Sequence, residues 1–285
     1  MLREITNIYT AKPAHMEGLL TWRAIPVGDI SAVDPFIFLN HHGPQVFPPD
    51  NNGLPFGPHP HRGFETVTFI IDGDVMHTDS SGGKSIITSG GVQWMTAGSG
   101  LIHAEVSSED FMKNGGKEEV LQLWVNLPAK HKMAPPAYYG FQKHEMPSYI
   151  SPDGKVSGSI ISGSLGGIRG AVQTFHDVNL SLLSFNENGE FSAAVPPAMN
   201  ILLYIVSGRV AVNGAEAVTR NLVSFGNEGD EVKITALEKS EVIFGFAPPL
   251  NEPVVSYGPF VMNTEDEIRE AMRDYQSGKM GVWEE

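Results

Sequence analysis

The chain of 285 residues contains no cysteine. Without cysteine it can form neither disulfide bonds nor thiolate bonds to a metal, so any bound ion must be held by His, Asp, Glu or water. Basic residues are also scarce, because 19 Lys and Arg stand against 33 Asp and Glu and give a formal net charge of −14. This charge balance argues against direct binding to nucleic acid or to an anionic membrane surface.

Long hydrophobic runs are missing as well. No stretch of about 18 uncharged apolar residues occurs, and the first residues, Met1 to Glu4, lack the apolar segment of a secretory signal. We therefore expect a cytoplasmic protein with no membrane partner.

Glycine and proline, by contrast, are abundant, with 31 and 20 residues. They separate short runs rich in Val, Ile, Phe and Thr, a pattern typical of many short strands that close into a barrel or sandwich. The sequence therefore predicts an all-β fold. The clearest predicted strands are residues 65–71, 119–125, 201–206 and 241–246.

One helix is predicted near the end of the chain. Thr264 and Glu267 have the spacing of a capping box, and Gly278 is a stop signal. The apolar stripe expected to pack on a sheet consists of Ile268, Ala271, Met272 and Tyr275.

Two domains are expected, although length alone suits one large domain or two of ordinary size. Residues 127–149 are rich in proline and indicate a connection, and residues 69–75 resemble residues 204–210. We place a metal-binding barrel at residues 1–135 and a second barrel at residues 136–285. In the repeat alignment Ala194 and Pro196 replace the histidines described next, so the second barrel is expected to lack metal ligands.

Two short motifs predict a metal site. His59 and His61 form one pair, and His103 and Glu105 form another. Side chains two residues apart in a strand point to the same face, so each pair can bind one ion. Three imidazoles and a carboxylate suit Fe, Ni, Zn, Cu or Mn, and an octahedral ion would keep two positions open for a ligand.

The register of the following strand places this site inside a barrel. Val67, Phe69 and Ile71 have the same parity as His59 and His61, so uninterrupted alternation would turn the imidazoles toward an apolar interior. A bulge at Gly63 would reset that register.

Two carboxylates near the motifs have alternative roles. Glu105 could bind the metal directly or accept a hydrogen bond from His103. Glu65 could be a fifth ligand, a general base or an ion-pair partner of Arg62, and we favour a supporting or structural role for it.

Three further histidines lie outside the predicted ligand set. His77, flanked by Asp79, is expected to be a structural group with its own hydrogen bond. His41 and His42 lie in a predicted turn that could fold over the barrel mouth, where one of them would support the site.

The motifs and their surroundings resemble the pirin family of the cupin superfamily, and bacterial pirins in particular. The segments that carry the resemblance are residues 34–36 (DPF), 57–67 (GPHPHRGFETV), 93–105 (QWMTAGSGLIHAE) and 257–263 (YGPFVMN). The resemblance implies two jelly-roll barrels that face one another. It also implies one metal in the first barrel, held by His59, His61, His103 and Glu105, whereas general cupin motifs would place the glutamate ligand at Glu65.

The resemblance implies two functions. Some pirins resemble quercetin 2,3-dioxygenases, so we expect a metal-dependent enzyme that opens the central ring of a flavonol with O₂, with Glu105 as the proton acceptor. Iron(II) is the expected ion, and the expected assembly is a monomer. In the alternative, the metal state of a non-enzymatic regulator controls contact with a transcription factor or metabolic enzyme. Fold alone does not choose between them.

Overall fold

A computed structural model describes residues 1–283 and consists mainly of β-strands. The strands up to residue 141 are β1 (Ile5–Thr10), β2 (Lys12–Pro13), β3 (Thr21–Ile25), β4 (Phe36–Phe47), β5 (Phe56–His61), β6 (Phe64–Asp72), β7 (Asp74–Asp79), β8 (Lys84–Thr88), β9 (Val92–Thr96), β10 (Leu101–Val106), β11 (Gly116–Asn126) and β12 (Ala137–Phe141). The later strands are β13 (Ser148–Ile150), β14 (Val156–Ser162), β15 (Ser164–Leu165), β16 (Ile168–Arg169), β17 (Asn179–Phe185), β18 (Glu190–Ala194), β19 (Asn200–Ser207), β20 (Arg209–Val212), β21 (Ala215–Val218), β22 (Asn221–Phe225), β23 (Glu231–Ala236), β24 (Ser240–Ala247), β25 (Val255–Tyr257) and β26 (Phe260–Met262). The all-β prediction is confirmed, and each of the four predicted strands lies within an observed one.

Helices are few among the described residues. The predicted C-terminal helix is α2 (Glu265–Gln276), and its capping box between Thr264 and Glu267 is present. A shorter helix, α1 (Glu109–Asn114), was not predicted, although Ser108 caps it by accepting a hydrogen bond from the Phe111 amide. Two single 3₁₀ turns occupy Ala129–His131 and Lys143–Glu145. Neither α-helix within residues 1–283 has the length and apolarity needed to span a bilayer.

The chain forms two compact units that are discontinuous in sequence. Of the described residues, 13–21, 38–145 and 251–283 form one unit, here called the histidine unit, and residues 1–12, 22–37 and 146–250 form the second unit. The predicted linear boundary at residue 135 falls near the start of the segment 146–250. Residues 1–12 lie in the second unit because β1 pairs with β22.

Each unit has two large antiparallel sheets around its own core and one two-stranded sheet, β25-β26 in the histidine unit and β15-β16 in the second unit. In the histidine unit, one large sheet contains β12-β9-β6-β11-β4 in that order, and the other has the order β5-β10-β7-β8. Ile70 and Val120 from the first sheet pack with Val75 and Ile87 from the second. In the second unit, the sheets run β1-β22-β19-β24-β17-β14-β13 and β18-β23-β20-β21, around a separate apolar cluster.

Gly63 resets the register between β5 and β6, so the expectation of uninterrupted alternation is wrong. The two strands belong to different sheets, and Gly63 between them has φ of +88°. A Cβ atom at Gly63 would lie 2.0 Å from the Val261 carbonyl oxygen, so only glycine fits this corner. Beyond it, Thr68 rather than Val67 or Phe69 points toward the predicted ligands, as its hydrogen bond to Glu105 shows.

Two predicted irregular segments are partly strand. His41 and His42 lie within β4 rather than in a turn, because sheet pairing overrides the local preference of Gly43 and Pro44. The proline-rich stretch 127–149 is not only a connection, since it contributes β12, which pairs with β9.

Candidate metal centre

The histidine motifs meet because β5 and β10 are antiparallel neighbours. His103 lies directly opposite His59, and Leu101 lies opposite His61. Alternation then places His59, His61 and His103 on the same face of this sheet. Pairing of two strands that are far apart in sequence therefore unites the motifs.

The three imidazoles form a compact cluster. The His59 Nε2 atom lies 3.1 Å from His61 Nε2 and 3.0 Å from His103 Nε2. The ligating atoms of all three residues lie within 4.8 Å of one another. His61 and His103 are buried, whereas His59 is partly exposed and provides a side open to solvent.

Backbone carbonyls orient two of the rings. His59 Nδ1 donates to the Gly57 carbonyl at 2.7 Å, and His61 Nδ1 donates to the Pro259 carbonyl at 3.3 Å. When Nδ1 carries the proton, Nε2 has a free lone pair and is an acceptor. The Nε2 atoms of His59 and His61 are therefore two acceptors that face each other. This is the arrangement by which proteins hold a metal-binding histidine in one tautomer.

Burial favours the neutral form of two of the rings, His61 and His103. It lowers the pKa of His61 to about 3, with a further contribution from neighbouring His59. The pKa of His103 is also lowered well below its usual value, mainly by burial and then by His61 and His59. Neutral nitrogen lone pairs converging on one point repel each other unless a cation lies between them, so the donor set fits a metal ion.

Glu105 lies beside the cluster and is held by two hydrogen bonds. Its Oε1 accepts from Thr68 Oγ1 at 2.7 Å and its Oε2 accepts from Gln122 Nε2 at 2.6 Å. Oε2 lies 3.9 Å from His103 Nε2. Two ligands of one ion can be up to about 4.2 Å apart, since each lies roughly 2.0–2.2 Å from the metal. The carboxylate is within this distance of His103, but it is outside the group of three imidazoles whose ligating atoms all lie within 4.8 Å of one another, so its direct bond to the metal stays a prediction.

Glu65 is separate from the histidine cluster and has a structural environment. Its Oε1 accepts hydrogen bonds from Trp94 Nε1 at 3.1 Å and from Thr96 Oγ1 at 2.7 Å. Arg62 does not pair with it and instead contacts Asp274 at 3.0 Å. Burial raises the pKa of Glu65 to about 7, against smaller opposing effects of Thr96 and Trp94.

His77 is likewise not part of the cluster. Its Nε2 lies 3.0 Å from Asp79 Oδ2, and its ring stacks on Tyr138 with the ring centroids 3.9 Å apart. It lies opposite Glu105 in the pairing of β7 with β10. These contacts agree with the structural role expected for His77.

Only one of the two adjacent histidines of β4 approaches the site. His41 Nε2 lies 3.0 Å from Glu119 Oε1, whereas His42 Nδ1 lies 2.9 Å from Thr21 Oγ1. His42 and Glu105 line the same cavity, whose volume of about 10 Å³ is close to the least that holds one water molecule. His42 is therefore the member of the pair that lies near Glu105.

An aromatic cluster borders the imidazoles. The Trp124 ring lies 4.5 Å from Phe38, 4.3 Å from Phe64 and 5.5 Å from His61, measured between centroids. Flat apolar surfaces of this kind favour aromatic ligands. Sequence reasoning did not identify this cluster, because its members come from three different strands.

The C-terminal segment, residues 251–283, contributes two carbonyl groups near the site that sequence reasoning did not identify. The Pro259 carbonyl contacts His61, and the Val261 carbonyl accepts a hydrogen bond from the buried Lys132. Lys132 also donates to the Gly63 carbonyl and to Asn126 Oδ1. Burial lowers the pKa of Lys132 to about 8. The only signal in the sequence was a lysine within a proline-rich stretch, which ordinarily indicates a solvated residue.

The fold and the site together define a cupin-type protein of two β-units with a histidine centre suited to a metal ion. The pirin family model matches residues 19–125, and the model described as the pirin C-terminal cupin domain matches residues 182–281. The chain belongs to the pirin family.

Named relatives agree with this assignment. A pirin-like protein of Solanum lycopersicum is 36% identical over 272 residues, which cover 93% of this chain and 88% of the relative. The protein named pirin of Rattus norvegicus is 34% identical over 267 residues, covering 91% and 87%. A crystal structure titled quercetin 2,3-dioxygenase from Acinetobacter baumannii superposes with a TM-score of 0.90 at 33% identity and covers 99% of both chains.

Proposed function

We propose that this pirin is a metal-dependent dioxygenase that opens the central ring of a flavonol-class substrate with O₂. The observation that carries the proposal is the convergence of three buried or half-buried imidazole Nε2 atoms next to a hydrogen-bonded carboxylate. Such a centre has fewer protein donors than an octahedral ion requires, so it leaves room for exogenous ligands.

His59, His61, His103 and Glu105 would hold the ion in this proposal, and iron(II) is the ion we propose. Imidazole and carboxylate ligands also suit nickel, zinc, copper and manganese. A bound divalent ion supplies Lewis-acid polarisation of a substrate hydroxyl.

The substrate class is supported by the similar structure titled quercetin 2,3-dioxygenase and by the aromatic cluster at the site. Phe38, Phe64 and Trp124 offer an apolar border to a planar ring system, while half-exposed His59 marks the open side. These side chains would orient the flavonol and exclude water from the ring that is cleaved.

Glu105 is the proposed proton acceptor for the substrate hydroxyl. Each carboxylate oxygen can accept two hydrogen bonds, so the contacts with Thr68 and Gln122 leave a lone pair on each oxygen for a substrate proton.

The test combines metal analysis with oxygen uptake on one sample. Protein purified without added metal is assayed by elemental analysis, loaded anaerobically with quercetin and then exposed to O₂. The expected result is about one metal per chain and quercetin-dependent oxygen consumption. His59→Ala should lose both, whereas the control His144→Ala, at an exposed position of a 3₁₀ turn, should keep both.

Two outcomes would contradict the dioxygenase. Stoichiometric metal without oxygen uptake on any flavonol would remove the enzymatic role, and metal-dependent capture of a protein partner would then support the regulatory alternative. Oxygen uptake that persists in His59→Ala would show that the histidine cluster is not the reaction centre.

A further inference from the structure

We propose that Gln122 and Thr68 are positioning residues that set the orientation of Glu105 toward the histidine cluster. This inference rests on the proposed metal site and adds two residues to it. Neither residue is one of the predicted metal ligands. Both lie in the sheet opposite to the one that carries the histidines.

The two donors, Gln122 and Thr68, lie side by side in one sheet. Gln122 in β11 and Thr68 in β6 are direct cross-strand partners. Their side chains therefore project side by side from one sheet, and each reaches a different oxygen of Glu105 in β10 of the other sheet, at 2.6 and 2.7 Å. Hydrogen bonds to a carboxylate at these lengths are charge-assisted and stronger than neutral ones.

A third residue determines which way the Gln122 amide faces. Trp124 Nε1 donates to Gln122 Oε1 at 3.1 Å, and an indole can only donate. The amide oxygen is thereby directed to Trp124 and the amide nitrogen to Glu105. The Trp124 ring is itself held between Phe38 and Phe64, so the orientation originates in the aromatic cluster.

These contacts restrict rotation of the Glu105 carboxylate. Two donors from adjacent strands fix both oxygens, so the side chain cannot rotate away from His103 without breaking a strong hydrogen bond. Thr68, Gln122 and Glu105 also line one small cavity, so the three side chains are close neighbours. Groups that orient ligands in this way commonly change metal affinity about 10- to 100-fold when removed.

Gln122→Leu and Thr68→Val test the inference, with cobalt(II) as the probe because its visible absorption reports the ligand field. Both variants should bind cobalt(II) about 10- to 100-fold more weakly than wild type in competition with a chelator. The absorption band should also shift. Trp124→Phe keeps a stacking ring but loses the indole donor, and it should weaken binding by a smaller factor in the same direction.

Gln93→Leu is the matched control. Gln93 is the other cross-strand neighbour of Thr68, is as buried as Thr68, and donates to the Val75 carbonyl instead of to the site. It should lower stability without changing cobalt(II) affinity or the spectrum. A change in affinity common to Gln93→Leu and Gln122→Leu would show a structural effect and overturn the inference.

The remaining outcomes separate this inference from the function on which it rests. Wild-type protein that binds no cobalt(II) would contradict the metal centre itself. Wild-type binding with unchanged affinity and spectrum in Thr68→Val and Gln122→Leu would overturn only the positioning role. If Gln122→Leu does not fold, Thr68→Val and Trp124→Phe decide the question by the same two measurements.

Discussion

The buried carboxylates of the histidine unit differ in the donors that meet them. Glu105 has one donor on each oxygen, and Glu65 has two donors on one oxygen. Burial, and then the charge of neighbouring Asp74, raises the pKa of Glu118 to about 9, so the neutral form of that carboxyl group is favoured.

Glu105→Gln tests the proton-transfer role at the residue scale. Glutamine keeps the size of the side chain and one acceptor oxygen, so much of the metal content should be retained. Turnover of a flavonol should fall by at least about 100-fold, as is usual when a general base is lost. Metal analysis and oxygen uptake on the same sample check this, and unchanged turnover would remove Glu105 from proton transfer.

Glu65→Gln tests a pH dependence. The pKa of Glu65 is raised to about 7 in the folded state from 4.5, so the folded state binds a proton that the unfolded state has already released between these values. The contribution of Glu65 to the free energy of unfolding is therefore complete below about pH 4.5 and is lost as the pH rises through 7. The stability difference between wild type and the glutamine variant, from urea unfolding at pH 5 to 8, should fall over this window, and parallel curves would contradict it.

At the scale of elements, the C-terminal segment stabilises the end of β5, the strand that carries His59 and His61. The Pro259 carbonyl accepts a hydrogen bond from His61 Nδ1. The next residue, Arg62, forms an ion pair with Asp274 of α2 at 3.0 Å. The same Arg62 side chain also donates through Nε to the Ser99 carbonyl at 2.7 Å. Helix α2 thus stabilises the corner where β5 ends. It buries Ile268 and Ala271 of its predicted apolar stripe, whereas Tyr275 is exposed.

Asp274→Ala should destabilise the histidine unit by on the order of 3 kcal/mol, because it leaves the guanidinium of Arg62 buried without its partner. Asp266→Ala is the control on the same helix, since Asp266 pairs with Arg269 at the exposed surface and should cost less than about 1 kcal/mol. Chemical denaturation measures both. Equal effects for the two variants would show that the Arg62 contact contributes nothing beyond a surface ion pair.

At the scale of the whole molecule, the two units have separate apolar cores. The proposed ligands all belong to the histidine unit. An ion that binds only the folded state stabilises it by about 2.7 kcal/mol at a concentration of 100 times Kd. That stabilisation should be concentrated in the strands that supply the ligands.

Hydrogen exchange with and without cobalt(II) checks this expectation. Amides of β5 and β10 should become more protected on metal binding, whereas amides of β19 and β24 in the second unit should change little. Protection that rises equally in both pairs of strands would indicate that the units unfold together, and protection confined to β19 and β24 would place the metal in the other unit.

Local patterns in the sequence were sufficient for much of this architecture. Strand alternation predicted that His59 and His61 share a face and that His103 and Glu105 share one. The capping residues of α2 were readable as a four-residue motif, and short apolar runs located the strands. Each of these depends on neighbours within a few positions, for which backbone geometry alone dictates the direction of a side chain. The same reasoning failed at Gly63, because a change of sheet at one residue reverses every later parity.

The sequence by itself determined the candidate ligand types, the β-strands and the family, since these depend on residue identity and short spacing. Only the tertiary structure decided which donors meet Glu105, which carbonyl orients His61 and which helix holds Arg62. Gln122, Pro259 and Asp274 reach the site from other strands or from the end of the chain. Their positions depend on which strands pair and how the sheets pack, and no local periodicity carries that information.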